Sequence, residues 1–311
     1  MTYSNPFGAR STADQVLAGV DLTGKHFVVT GCNSGIGFET MNALAANGAH
    51  VIGLARSFAD ARTACARVAA SCTPVACDLS DLDSVAAAAA SIRALNVPLD
   101  AIIANAGLAN LPALQTRYGV EMQFLVNHIG HFALVNQLCD LVRNGTGRIV
   151  IVSSSASIKQ APAAGIMFDN LDGHRSYRPF AFYGQSKFAA ALYAKELSRR
   201  LKSRGIAVNS LHPGAVKGTR LNRHLRRPLA LILSVARLFM RNAQRGAATQ
   251  ALLAASPQVA GISGEYWTDC RIAAGHPLLN DADLAKRLWE VSEGIVAAQP
   301  KPESKRLQAA A

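Results

Sequence analysis

No two of the six cysteines, at 32, 65, 72, 77, 139 and 270, stand in a Cys-x-x-Cys pair, and no signal peptide with a charged start and an apolar core precedes them. The expectation is therefore reduced, buried thiols in the cytosol. No apolar run reaches the roughly 18–20 residues that cross a bilayer; the longest, "PLALILSVA" at 228–236, is too short. There is no internal repeat, and no Pro/Ser-rich linker or composition break divides the 311 residues, so one domain is the simplest organisation. Acidic residues are the scarce charge. Twenty Asp+Glu against 32 Lys+Arg give a formal net charge of +12, which favours anionic partners such as phosphorylated cofactors, nucleic acid or membrane headgroups, or simply a solvated basic surface. The arginines are not interleaved with aromatics and no nucleic-acid-binding module is present, so a nucleic-acid role is not expected.

From residue 26 onward, short β-branched runs alternate with longer helical patterns. "HFVVTG" (26–31), "HVIGLA" (50–55), "TPVACD" (73–78), "DAIIAN" (100–105), "RIVIVSS" (148–154) and "IAVNSLH" (206–212) read as strands. Most are almost continuously apolar, as strands covered on both faces must be. Helical patterns lie at about 35–47, 57–70, 81–94, 119–143 and 182–204. A last strand at 264–269 and a helix at 281–297 complete the series. The alternation predicts an α/β fold: a single-domain, Rossmann-type, doubly wound parallel sheet of about seven strands with helices on both faces. Residues 1–20 read as an N-terminal arm, 21–296 as the domain, and 297–311 as a polar tail.

After the first strand comes "TGCNSGIG", with glycines at 31, 35 and 37 directly before a helix. Glycines there allow a sharp turn and the close approach of a pyrophosphate to free N–H groups at the helix N-terminus. The second strand ends "GLARS", placing Arg56 where an acidic residue would otherwise hold a ribose 2′-hydroxyl, so NADP(H) is favoured over NAD(H). Asp60 dissents, but it falls in the first turn of the next helix.

Four more motifs follow at the ends of successive strands: "CDLSD" (77–81), "NAG" (105–107), "SSS" (153–155) and "HPG" (212–214). With "TGCNSGIG" and "YGQSK" (183–187), the chain resembles the short-chain dehydrogenase/reductase family over roughly residues 20–295. "NHIGHF" (127–132), the long stretch from Ser153 to Lys187 and "SGEYWTDCRIA" (263–273) are similar to its retinol dehydrogenase and WW-domain oxidoreductase branch. The resemblance implies that Asn33, Ser34 and Ile36 join the glycines in the phosphate loop. It implies that Asp78 and Leu79 lie by the adenine, that Asn105, Ala106 and Gly107 support the ribose and central backbone, and that Pro213 and Gly214 border the nicotinamide. Two departures stand out. Ala104 replaces the first asparagine of the usual "NNAG", and Thr219 comes one residue later than the usual threonine and is left out of the site.

Tyr183 and Lys187 are four apart on a helix and share a face. Reduction of a carbonyl needs a proton on its oxygen, and a phenol with an ordinary pKa near 10 needs a neighbouring cation to give and regain one near neutrality. Lys187 can supply that charge, and the resemblance has it also bind the nicotinamide ribose, with Tyr183 as general acid/base. The resemblance places Ser154 beside the substrate oxygen, with Ser153 and Ser155 as rivals, and makes Asn127 the fourth catalytic member, its main chain bent so that a water links Lys187 to solvent. His128 and His131 lack an acidic or cysteine ligand to join them, so no metal is expected, and they read as helix-packing or oligomer contacts.

The segment 218–246, apolar in the middle and flanked by arginines, reads as a substrate lid for a bulky apolar alcohol or carbonyl. A peripheral contact with an anionic membrane and ordinary core or dimer packing remain open, as do a homodimer and a homotetramer. The expected function is an NADP(H)-dependent alcohol dehydrogenase or carbonyl reductase, cytoplasmic or membrane-associated. The alternative is a catalytically quiet NADP(H)-sensing or interaction protein of the same fold.

Overall fold

The computed structural model describes residues 5–68, 71–216 and 241–298. Eight strands form one sheet: β1 (His26–Thr30), β2 (His50–Ala55), β3 (Cys72–Ala76), β4 (Ala101–Ala104), β7 (Arg148–Val152), β8 (Ala207–His212), β9 (Tyr266–Thr268) and β10 (Arg271–Ile272). Their order is β10-β9-β8-β7-β4-β1-β2-β3, parallel throughout except for the antiparallel β9–β10 pair. The order reverses between β1 and β4, which opens a crevice at the carboxyl ends of the strands. The eighth strand exceeds the expected seven. It is a two-residue edge formed where Asp269 and Cys270 both take positive φ, +55° and +59°, and fold the chain back.

The helices are α1 (Ala13–Leu17), α2 (Gly35–Ala46), α3 (Phe58–Cys65), α4 (Leu82–Arg93), α5 (Met122–Phe124), α6 (Gly130–Leu138), α7 (Ala156–Lys159), α8 (Pro179–Arg200), α9 (Ala243–Ala255) and α10 (Ala282–Ala297). Neighbouring residues of each strand point to opposite faces and so feed two separate cores. Val28, Ile52, Ile102 and Ile149 pack with Phe132, Phe188 and Trp289 beneath α4, α6, α8 and α10. Phe27, Val29, Val51 and Ile103 pack with Met41, Leu44 and Leu252 beneath α1, α2 and α9. Burial on both faces explains why these strands read as continuous apolar runs. Ala13, Val16 and Leu17, within the expected arm, are buried in the second core.

The helical pattern at 119–143 resolves into several pieces. Thr116–Arg117 (β5) and Val120–Glu121 (β6) first form a hairpin. The buried Glu121 carboxylate then accepts from the Gln123 and Phe124 N–H groups, which starts the helix at Met122. A π-helical segment, Leu125–Ile129, separates α5 from α6. Helix α8 begins three residues earlier than expected because Pro179 fits the first turn, where its missing N–H costs nothing.

Cys65 and Cys72 form a disulfide between the end of α3 and the start of β3, contrary to the expectation of reduced thiols throughout. The fold brings their Cα atoms to 5.3 Å, a closeness that a sequence separation of seven does not reveal. Cys32, Cys77 and Cys270 are buried free thiols. No described helix is long and apolar enough to cross a membrane. Of the expected lid, 218–240 lie outside the described residues; Ala243–Gly246 form the first turn of α9, where Gly246 is buried against Val216 and Ile36. The 228–236 run and Thr219 also lie outside them.

Candidate active site

A cavity of about 770 Å³ occupies the crevice. Every expected site residue lines it except Asn127, which stands just behind the loop after β4. The turn after β1 fits tightly. Gly31 lies at φ +70°, and a β-carbon on Gly37 would overlap the Gly31 carbonyl oxygen and crowd the Asn105 amide. Ser34 is the N-cap of α2, yet its hydroxyl bonds none of the first-turn N–H groups, and that turn holds no acidic residue. Those donors and the positive end of the helix dipole are left for an anion at the cavity wall.

At the tip of β2, Arg56 is exposed on the cavity rim and makes no ion pair with any described residue. Asp60 is held locally, since its carboxylate accepts the Ser57 hydroxyl while its own N–H is capped by Ser57 oxygen at 3.1 Å. Across the crevice, Asp78 turns its carboxylate onto the N–H and hydroxyl of Ser80. A β-carbon on Gly130, at the start of α6, would overlap the Leu79 carbonyl, so this glycine sets how closely the helix approaches the expected adenine wall. Glycine-lined turns, uncapped helix donors and an unpaired arginine together fit a dinucleotide with pyrophosphate and adenosine groups.

The turn after β4 keeps its shape despite Ala104. The Thr30 hydroxyl accepts both the Asn105 and Ala106 N–H groups at 2.9 Å, and Asn105 Nδ2 donates to the Thr30 carbonyl at 2.8 Å. Asn127, within the π-helical segment, accepts the Leu108 N–H and donates to the Leu108 carbonyl, both at 2.9 Å, and also donates to Ser186 Oγ. Its side chain is therefore a clamp on the loop beside Gly107. Sequence reading assigned no role to Thr30, Gly130 or Ser186; the only signal for Thr30 was its place directly before the glycine loop.

The three serines after β7 separate by environment. Ser153 is buried and donates to the Lys187 carbonyl at 2.7 Å, which engages it in holding α8. Ser154 lines the cavity together with Tyr183, close enough for its hydroxyl to lower the phenol's pKa. Ser155 precedes α7 and lines the cavity without capping that helix. The Ser154 carbonyl is held from two sides, by the Ser157 hydroxyl at 2.6 Å and the Tyr266 hydroxyl at 3.2 Å.

The charge state of the pair on α8 differs from the expectation. Burial pushes the Tyr183 phenol above its ordinary value, with only the Ser154 hydroxyl pulling it down. Burial also brings Lys187 from 10.5 down to about 8, and its ammonium donates to the Val152 carbonyl at 2.9 Å. Desolvation of the phenolate outweighs the pull of Ser154, so the tyrosine is held as a proton carrier and is not pre-ionised. His128 and His131 are internal, 1% and 2% exposed, which removes the oligomer-contact reading. No group of potential metal ligands occurs among the described residues.

Comparison with known proteins agrees with this arrangement. The short chain dehydrogenase family profile matches residues 25–167 and 170–230. The chain is 38% identical to retinol dehydrogenase 14 of Homo sapiens over 297 residues, covering 88% of this chain and 87% of that protein. It is 36% identical to the WW domain-containing oxidoreductase of Homo sapiens over 306 residues, covering 95% and 73% respectively. A crystal structure of a Mycobacterium paratuberculosis protein superposes with a TM-score of 0.73 at 29% identity, over 92% of this chain and 97% of that one. The parallel sheet, the glycine loop and the serine–tyrosine–lysine cluster therefore sit in an oxidoreductase with a nicotinamide dinucleotide cofactor, and the chain belongs to the short-chain dehydrogenase/reductase family, in its retinol dehydrogenase and WW-domain oxidoreductase-like branch.

Proposed function

We propose that the protein is an NADP(H)-dependent alcohol dehydrogenase or carbonyl reductase acting on a hydrophobic alcohol and its ketone or aldehyde. The observation that carries this reading is the convergence of Ser154, Tyr183 and Lys187 on the wall of the same cavity that holds the phosphate loop. When bound, the cofactor supplies or accepts a hydride. Gly31, Asn33, Ser34, Gly35, Ile36 and Gly37 would hold its phosphates, Asp78 and Leu79 its adenine, and Asn105, Ala106 and Gly107 its ribose and backbone. Pro213 and Gly214 would border the nicotinamide, and Arg56 the 2′-phosphate.

In reduction, Ser154 orients the carbonyl and stabilises negative charge growing on its oxygen. Tyr183 donates the proton, a role suited to a phenol that burial keeps protonated. Lys187 stabilises the phenolate left behind and binds the ribose hydroxyls, and Asn127 keeps the loop beside them in place. The Lys187 ammonium is fully present below pH about 8 and is lost as pH rises through that value, so carbonyl reduction falls with it. Apolar wall residues such as Leu108, Leu111 and Met122 favour an apolar substrate.

The test is a screen of hydrophobic ketones and aldehydes with NADPH and, in parallel, NADH, read by loss of cofactor absorbance. Turnover with NADPH above NADH supports the reading, and equal or faster turnover with NADH contradicts the role given to Arg56. Tyr183→Phe is expected to bind NADPH with nearly unchanged affinity and to lose turnover; unaltered turnover sinks the mechanism. NADPH binding without any turnover across the screen would instead favour the cofactor-sensing alternative.

A further inference from the structure

We propose that His131 is a positioning residue that locks the turn after β4 to the bent main chain at Asn127, as a neutral imidazole with its proton on Nδ1. The assignment follows from counting donors. The Thr30 hydroxyl already accepts two N–H groups, from Asn105 and Ala106, so both its lone pairs are engaged and its one proton must go elsewhere. The remaining partner is His131 Nε2 at 2.9 Å, which therefore accepts. The ring's proton then sits on Nδ1, and Nδ1 lies 3.3 Å from the Asn127 carbonyl oxygen, to which it donates. One imidazole thus joins the end of β1, the turn of Asn105–Ala106 and the π-helical segment.

The surroundings keep it neutral. His131 is 2% exposed, so burial disfavours its charged form, and the Lys187 ammonium on α8 opposes a second positive charge; His128, in the adjoining π-helical segment, is itself held neutral by burial. The ring therefore does not act as an acid or base in the working pH range. Its effect is geometric: it holds the Asn127 carbonyl while Thr30, which it engages, holds Asn105 and Ala106. The inference rests on the cofactor reading above, because those are the groups placed around the ribose.

Two measurements test it. In ¹⁵N-imidazole NMR spectra, the resonances lost in His131→Gln are expected to show the Nδ1–H tautomer and not to titrate between pH 5 and 9. An Nε2–H tautomer or a titration in that window overturns the assignment. The second measurement is kinetic and binding. His131→Asn keeps an amide donor near the Nδ1 position, and His131→Gln keeps an acceptor near the Nε2 position, so each preserves one of the two bonds. His131→Asn is expected to weaken NADPH binding about tenfold, with kcat held within a few-fold. His131→Gln is expected to lower kcat about tenfold with NADPH affinity little changed. Equal losses in both parameters for both variants, or none, overturn the positioning role. Failure of the unmodified protein to bind NADPH would sink the cofactor reading and the inference with it, whereas binding that neither variant alters sinks the inference alone.

Discussion

Lys187 is a buried cation, 3% exposed, and its fall from 10.5 to about 8 means that the charged form is disfavoured in the folded protein by ~3 kcal/mol. Lys187→Met is therefore expected to abolish turnover while the Tm at pH 7 holds or rises, and a fall of several degrees would contradict the account. The sign also fixes a pH window. Between pH about 8 and 10.5 the unfolded chain binds the lysine proton and the folded chain does not, so the unmodified protein gains stability relative to Lys187→Met as pH rises through that range. Ser153 and Ser154 should separate in the same way. Ser154→Ala is expected to lower kcat by about 10²–10³ with little change in Tm. Ser153→Ala, which leaves the Lys187 carbonyl without its donor, is expected to lower stability by about 1–3 kcal/mol. At this scale the site was largely readable, because Gly37, Asn105, Tyr183 and Lys187 each answer a demand that a short motif states. The direction of the Tyr183 shift was not, because burial is conferred by residues remote in sequence. The hydrogen-bonding of His131 was hidden for the same reason: its partners Thr30 and Asn127 come from different elements.

Among the elements, the stretch 116–141 departs furthest from the sequence reading. Apolar residues at helical spacing run through it, yet Glu121 starts the helix late and the π-helical turn displaces Asn127 from the regular ladder. Such a turn leaves no periodic trace in the sequence, since one extra residue in a loop of hydrogen bonds barely alters the apolar pattern; the bend at Asn127 is implied by the family resemblance alone. Gly130 is the informative exception. Its close contact with the Leu79 carbonyl implies that Gly130→Ala pushes α6 off the end of β3. The expected result is a loss of about 1–3 kcal/mol in urea unfolding together with weaker NADPH binding. No change in either would mean that the neighbouring backbone yields freely. The short β10 escaped notice because its turn is Asp269–Cys270 and lacks the glycine that usually marks such a reversal. By contrast, the parallel strands announced themselves, since burial on both faces requires continuous apolar runs.

For the whole molecule, the alternation of strands and helices was enough to place the crevice, because a doubly wound order fixes where strand direction of travel reverses. What the order leaves open is what the enzyme acts on. Val216 and Arg241 bridge as neighbours, with the Arg241 N–H on the Ala215 carbonyl at 2.8 Å and its guanidinium paired with Asp269 at 2.5 Å. The two flanks of the 24 residues between them thus meet at a single point beside Gly214. Replacing 217–240 with a short Gly-Ser turn is expected to preserve the Tm within a few degrees and NADPH binding within a few-fold, while turnover of bulky apolar carbonyls is lost. Unfolding of that variant would show instead that the segment is part of the core. A segment with its two ends already joined can be lengthened, shortened or exchanged without disturbing strand register. Natural selection, or a protein engineer grafting the corresponding segment from a relative, can then vary that segment while leaving the sheet and the residues around the crevice in place.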